Sequence, residues 1–144
     1  MLDATFFLKV GPNTRDRYRK HIFKDAKDVY DAPFKGYSNE YGERKRANKF
    51  KGQASQYAGT TAPVLTSALL LDYSLIKTSS GGFQIGWIKE GAKVEGLKRM
   101  GRVLTSKSKP LPNGVIKYLS NEAHGYIKKR LGKSKTTTHR IGRK

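Results

Sequence analysis

Alternation of apolar and polar positions is clearest over residues 72–88. Tyr73, Leu75 and Lys77 fall on one side of an extended run, and Ser74, Ile76 and Thr78 on the other. After Ser79-Ser80-Gly81-Gly82, a second run places Phe83, Ile85 and Trp87 on one face, opposite Gln84 and Gly86. Two β-favouring runs around a Ser/Gly break predict a hairpin, because glycine enters positive φ without steric cost. The most apolar stretch of the chain, residues 63–71, precedes it and is expected to pack on that sheet or lead into it. Residues 4–10 also alternate, with Phe6, Leu8 and Val10 on one side, and Gly11-Pro12 follows; this reads as a further strand. Asn13 or Thr14 is then a suitable helix N-cap, with Asp16 in the first turn. Tyr18, Ile22, Ala26, Val29 and Tyr30 recur at helical spacing, which predicts a helix to about Tyr30, stopped by Ala32-Pro33.

The pattern breaks down over residues 33–62. Gly36, Gly42, Gly52 and Gly59 interrupt it, Arg44-Lys45-Arg46, Lys49 and Lys51 load it with charge, and Tyr37, Tyr41, Phe50 and Tyr57 are interleaved. A short helix over about residues 39–50 is compatible with this, although Gly42 weakens it. A connection of this length is either a solvated loop with a few anchoring aromatics or a segment that orders on a partner. In residues 89–110, Val94, Leu97, Met100 and Val103-Leu104 can mark a short helix, while Gly91, Gly96 and Gly101 favour an extended or mobile loop. Pro110-Leu111-Pro112 gives a rigid link, and Asn113 can cap a last helix over about residues 115–131. There Ile116, Leu119, Ala123, Ile127 and Leu131 share a face, with Tyr126 flanking them. Gly125 weakens that helix by about 1 kcal/mol relative to alanine. From Lys128 onward every charge is positive, and residues 132–144 read as a basic tail that is disordered without a partner.

Together these elements predict one α+β domain over residues 1–131: two main amphipathic helices packed on a small antiparallel sheet with a central hairpin. Long basic loops, including an extended one at about 33–62, and the basic C-terminal tail surround it. Charge then changes the picture. The 144 residues carry 30 Lys and Arg against 11 Asp and Glu, a formal charge of +19, with 36% hydrophobic residues. So cationic a chain with so modest a core needs counterions, nucleic acid or acidic protein surfaces around it. The absence of cysteine excludes disulfides and thiolate chemistry. The first residues lack the basic-then-apolar order of a secretory signal, and no apolar run reaches membrane-spanning length, so a soluble protein made in a cytoplasm is expected.

Candidate chemistry is sparse. Gly125 and Gly132 are followed by Lys133-Ser134, but six residues separate the glycines where a phosphate-binding loop needs four, and a helix rather than a strand precedes them. His21, His124 and His139 have no second ligand at metal-binding spacing. Asp25, Asp28 and Asp31 at i, i+3 and i+6 read as a solvated helix face. No catalytic, cofactor or metal residues emerge, and an enzyme is the least favoured class. The contact candidates are the basic clusters Arg44, Lys45, Arg46 and Lys49; Lys98, Arg99 and Arg102; Lys128, Lys129, Arg130, Lys133, Lys135, Arg140, Arg143 and Lys144. Such cations suit phosphates, and the tyrosines beside the first cluster suit base stacking.

Several stretches taken in order resemble a known family. These are Arg15-Asp16-Arg17-Tyr18-Arg19 opening a helix and the aromatic–basic segment from Phe34 through Tyr37, Ser38 and Tyr41 to Lys45 and Lys49. Pro63-Val64-Leu65-Thr66-Ser67-Ala68-Leu69 follows ahead of a strand pair, then Phe83-Gln84-Ile85-Gly86-Trp87 as the return strand. Arg102-Val103-Leu104-Thr105, Leu111-Pro112 and the closing helix complete the series. Over roughly residues 14–131 the chain resembles the tail-completion or virion-morphogenesis proteins of tailed bacteriophages, which sit at the neck between head and tail. The resemblance implies an α+β subunit that assembles into a homo-oligomeric ring or connector in the virion, without catalysis. Its partners would be portal or adaptor and tail proteins, with contact to the threaded double-stranded DNA also compatible. The alternative expectation, from charge alone, is a basic nucleic-acid-binding module of the ribosome-associated or DNA-packaging kind.

Overall fold

The computed structural model describes residues 2–64 and 67–134. Helix α1 spans Ala4–Arg19, so the strand expected at residues 4–10 is helical instead. Its cause is local. The Asp3 carboxylate accepts the Phe6 amide at 3.1 Å, which supplies the N-cap that sequence placed at Asn13 or Thr14. Phe6, Val10, Thr14 and Tyr18 then recur every four residues on the buried face, while Leu8 is 57% exposed. Pro12 removes an amide bond to the Leu8 carbonyl, but both residues lie on the solvent side, so water can take that acceptor. Gly11 marks the closest approach of α1 to the sheet. A Cβ there would meet the two Leu75 methyls at 3.1 and 3.2 Å.

The helix widens into a π turn over Lys20–Lys24, where the Asp25 amide donates to the Lys20 carbonyl at 2.8 Å. It ends there rather than at Tyr30, because Ala26 takes a positive φ of 52° and its carbonyl accepts the Phe34 amide. Val29 is buried all the same, but from a turn: its amide donates to the Val103 carbonyl, and Asp28 caps the turn by accepting the amides of Tyr30 and Ala32. The three aspartates 25, 28 and 31 therefore share no helix face.

Helix α2 spans Asn39–Arg46, starting where the short helix over about 39–50 was expected and ending four residues sooner, and a single 3-10 turn follows at Ser55–Tyr57. Helix α3, Ala68–Asp72, delivers the chain into strand β1, Tyr73–Lys77, which pairs antiparallel with β2, Phe83–Trp87. The register opposes Tyr73 to Trp87, Leu75 to Ile85 and Lys77 to Phe83, which puts the two sets read as sharing a face on the same side. Gly81 supplies the positive φ of the turn. At the other end of the hairpin, the Asp72 carboxylate accepts the amides of Lys89 and Glu90 at 2.8 Å each, bonds that hold it below the usual carboxylate range. Helix α4, Gly91–Arg99, replaces the extended or mobile loop that its glycines suggested. Gly101 closes it at φ +78°, letting the Arg102 amide reach the Leu97 carbonyl.

Helix α5 spans Asn113–Ser134, three residues past the end expected at Leu131 and so past the boundary given to the tail. Asn113 is its first residue and not its cap; the Pro112 carbonyl accepts the first amides. The helix docks on α1 through the side read as a flank. Tyr126 packs on Phe6 at 5.3 Å and donates to Asp3 at 2.7 Å, Glu122 pairs with Lys9, and Arg17 lies over Tyr118. The stripe of Ile116, Ile127 and Leu131 stays exposed. Between α1 and the hairpin sits the main core, where Tyr18 stacks on Tyr73 at 4.5 Å and Trp87 closes the group. Tyr18 donates to the Leu104 carbonyl and Trp87 to that of Leu69, so both of these polar handles are satisfied. The architecture is α+β, helices on a two-stranded antiparallel sheet.

Candidate interaction surfaces and a buried cationic node

Helix α2 opens with Glu40 and closes with Arg44, Lys45 and Arg46, an order that suits its dipole. Successive helical residues point about 100° apart, so three adjacent cations cannot all face solvent equally. Arg44 and Arg46 are exposed, while Lys45 turns inward and is 1% exposed. Its ammonium donates to the carbonyls of Thr60 at 2.9 Å and Ala62 at 3.0 Å and to the Tyr37 hydroxyl at 3.5 Å. Arg102, 5% exposed, arrives from the end of α4 and donates to the carbonyls of Thr61 at 3.0 Å and Lys35 at 2.5 Å. The Tyr37 ring lies against both cations, 4.1 Å from the Arg102 guanidinium carbon and 4.7 Å from the Lys45 nitrogen. Tyr37 in turn donates to the Ala62 carbonyl.

Neither cation has an ion-pair partner among the described residues, so backbone dipoles and a π face take the place of water. Burial first, and the neighbouring Arg102 second, push the Lys45 ammonium down to about 8. Burial raises the Tyr37 phenol, against the opposing pull of Arg102. The node gathers Lys35, Tyr37, Lys45, residues 60–62 and Arg102, and it gives the 33–62 stretch its order.

The sequence-selected contact residues therefore divide. Lys45 and Arg102 come together, but inside the molecule, and do not contribute to its open surface. Arg44 lies over Phe50 at 4.6 Å, and Arg130 pairs with Asp3 at 2.8 Å and sits over Tyr126. Arg46, Lys49, Lys98, Arg99, Lys128, Lys129 and Lys133 are exposed without an ion pair among the described residues. They are spread over α2 and the turn after it, the end of α4, and the last turns of α5. Lys135, Arg140, Arg143 and Lys144 lie outside the described residues. The tyrosines read as base-stacking platforms are engaged internally: Tyr37 packs on Tyr41 at 4.8 Å, and Tyr41 on Phe50 at 5.1 Å.

An open apolar cavity of about 250 Å³ lies beside the hairpin, lined by Tyr18, Tyr73, Phe83, Ile85, Trp87 and Leu111. No cluster of three potential metal ligands occurs among the described residues, and no described helix is long and apolar enough to cross a membrane. Sequence reasoning missed the carbonyls of Lys35 and residues 60–62 that hold the node. No known protein family, curated protein or solved structure matches the chain.

Proposed function

We propose that the chain is a structural subunit of a tailed-bacteriophage neck, a tail-completion or head–tail connector protein that assembles into a ring and performs no catalysis. The observation that carries this reading is the hairpin. No third strand pairs with either edge of β1–β2 among the described residues, and Leu71, Ile76 and Ile88 stand exposed at its base and outer face. Open strand edges flanked by aliphatic side chains suit pairing with another chain, and repeated head-to-tail contacts of one kind close into rings. The residue pattern described for the phage family points the same way, with portal or adaptor and tail proteins as neighbours in the virion.

Negative-stain microscopy and sedimentation of the purified chain test the proposal. Rings or defined oligomers are expected, and Ile76→Lys with Ile88→Lys should dissociate them while leaving the monomer folded. A monomer at every concentration that also fails to bind connector or tail proteins overturns it.

A second reading, a basic nucleic-acid-binding module, is favoured by the exposed cations Lys98, Arg99, Lys128, Lys129 and Lys133, which have no ion pair among the described residues. Six to ten phosphate contacts would make duplex affinity fall by about 10³–10⁵ between 50 and 200 mM salt. A tight, steeply salt-dependent complex with a defined RNA selects this reading; weak, sequence-blind binding favours the neck subunit, which itself encloses DNA.

A further inference from the structure

A second cavity, of about 170 Å³, borders the cationic node and is lined by Tyr37, Ser38, Asn39, Lys45, Arg46 and Thr61, among others. No Asp or Glu contributes to its lining. The node behind it holds two buried cations without a compensating acid, and Lys45 belongs to both. Arg46 faces the same space from the next position of α2. Its Nη1 lies 3.8 Å from where a Cβ on Gly42 would stand, on the cavity wall, and the guanidinium has no partner among the described residues. The side chains of Ser38, Asn39 and Thr61 also make no hydrogen bond of their own among the described residues, and Ser38 does not cap α2.

We propose that this cavity is an oxyanion site that takes a phosphate group. Lys45 supplies charge at short range, its three donors being engaged already. Arg46 supplies a donor fork, and the polar groups of residues 38, 39 and 61 approach from other sides. Donors drawn from three stretches of chain suit the several oxygens of a tetrahedral anion better than the two of a planar carboxylate. A doubly charged anion also answers the two cations of the cavity wall, Lys45 and Arg46, together. The depressed Lys45 ammonium agrees with a site held short of its counter-charge. This site does not depend on the neck reading.

The full-length chain is melted in inorganic phosphate, sodium acetate and sodium chloride at equal ionic strength, and the Lys45 side-chain nitrogen is followed by NMR through a pH titration. Phosphate is expected to raise the melting temperature saturably and to keep Lys45 protonated to higher pH, where acetate and chloride do neither. Arg46→Gln, at an exposed position, should weaken half-saturation by phosphate about tenfold or more while the melting temperature in chloride is unchanged. Equal stabilisation by chloride reduces the effect to screening of the net charge and overturns the site. Acetate matching phosphate assigns the cavity to carboxylates and overturns the phosphate. A phosphate effect that survives Arg46→Gln intact removes it from this cavity.

Discussion

Two regions of the molecule are built around a tyrosine whose hydroxyl donates to a backbone carbonyl, and they are stabilised by different physics. Under the hairpin, Tyr18 stacks on Tyr73 and bonds the Leu104 carbonyl, amid Ile22, Phe23 and Trp87. In the 33–62 stretch, Tyr37 bonds the Ala62 carbonyl and packs on two cations, Lys45 and Arg102. The first region rests on apolar area removed from water, a contribution largely indifferent to pH and salt. The second has exchanged the hydration of two charges for carbonyls and a ring, with no acid to complete the exchange. A region held in this way must respond to anions and to protonation from neutral pH upward, whereas the aromatic one responds to pH only above about 10, where the phenols of an unfolded chain ionise.

Truncation separates them first by size. Tyr18→Ala removes a fully buried ring and its hydroxyl bond and should destabilise the chain by about 3–5 kcal/mol, read from urea unfolding. Arg102→Met keeps an apolar stem but abandons the carbonyls of Lys35 and Thr61. Its loss should be smaller, about 2–3 kcal/mol, because removing one buried cation relieves the other. The same variant carries a signature that Tyr18→Ala lacks: the Lys45 ammonium should move back toward its ordinary value, since Arg102 is one of the two causes of its depression.

The pH dependence distinguishes the regions next. Lys45 titrates near 8 when folded and near 10.5 when unfolded, so between these values the unfolded chain binds more protons and stability rises with pH. The gain from pH 7 to 10 should be about 2 kcal/mol from this group. Tyr18 and Tyr73 act with the opposite sign. Burial raises both phenols far above their ordinary value of 10.0, so above pH 10 the unfolded chain loses protons that the fold retains, and stability falls. Urea midpoints across pH 7–11 should therefore pass through a maximum near 10. Lys45→Met should remove the rise and keep the fall.

How much of this was legible in the sequence follows from whether the deciding contacts are local. The hairpin and its faces were, because a period of two and a turn glycine specify them within one short stretch; the pairing of Tyr73 with Trp87 came from the structure. The start of α1 was not. Phe6, Leu8 and Val10 satisfy a strand, but Phe6, Val10, Thr14 and Tyr18 equally satisfy a helix, and only the Asp3 cap and a solvent-facing Pro12 decide between them. Ala26 ends that helix at a positive φ that favours glycine or asparagine, so nothing in its identity announced a stop. For the node, Lys45 and Arg102 are far apart in sequence, and their burial rests on carbonyls that any residue type carries. One signal was present: among three consecutive cations on a helix, the middle one points away from the bisector of the outer two. The exposed Ile76 was visible as an apolar residue off the face of Tyr73 and Leu75.

The smallest effects compare the two tyrosines by the same chemical change. Tyr18→Phe keeps the ring and leaves the buried Leu104 carbonyl without its donor, so about 1 kcal/mol should be lost, equally at pH 7 and pH 9. Tyr37→Phe deletes the same atom, yet the Ala62 carbonyl still receives the Lys45 ammonium at 3.0 Å and the Val64 amide at 2.7 Å, and the cation–π faces remain. Its loss should be about half as large at pH 7. It should grow at pH 9, where Lys45 in the folded chain has largely lost the proton that made it a strong substitute donor. Paired unfolding curves at the two pH values decide the matter: a pH-dependent loss for Tyr37→Phe beside a constant one for Tyr18→Phe is what separate stabilising physics requires. Identical pH behaviour in the two variants would mean that the Val64 amide, and not Lys45, keeps the Ala62 carbonyl satisfied, and the division of the molecule into an apolar and a cationic half would not hold.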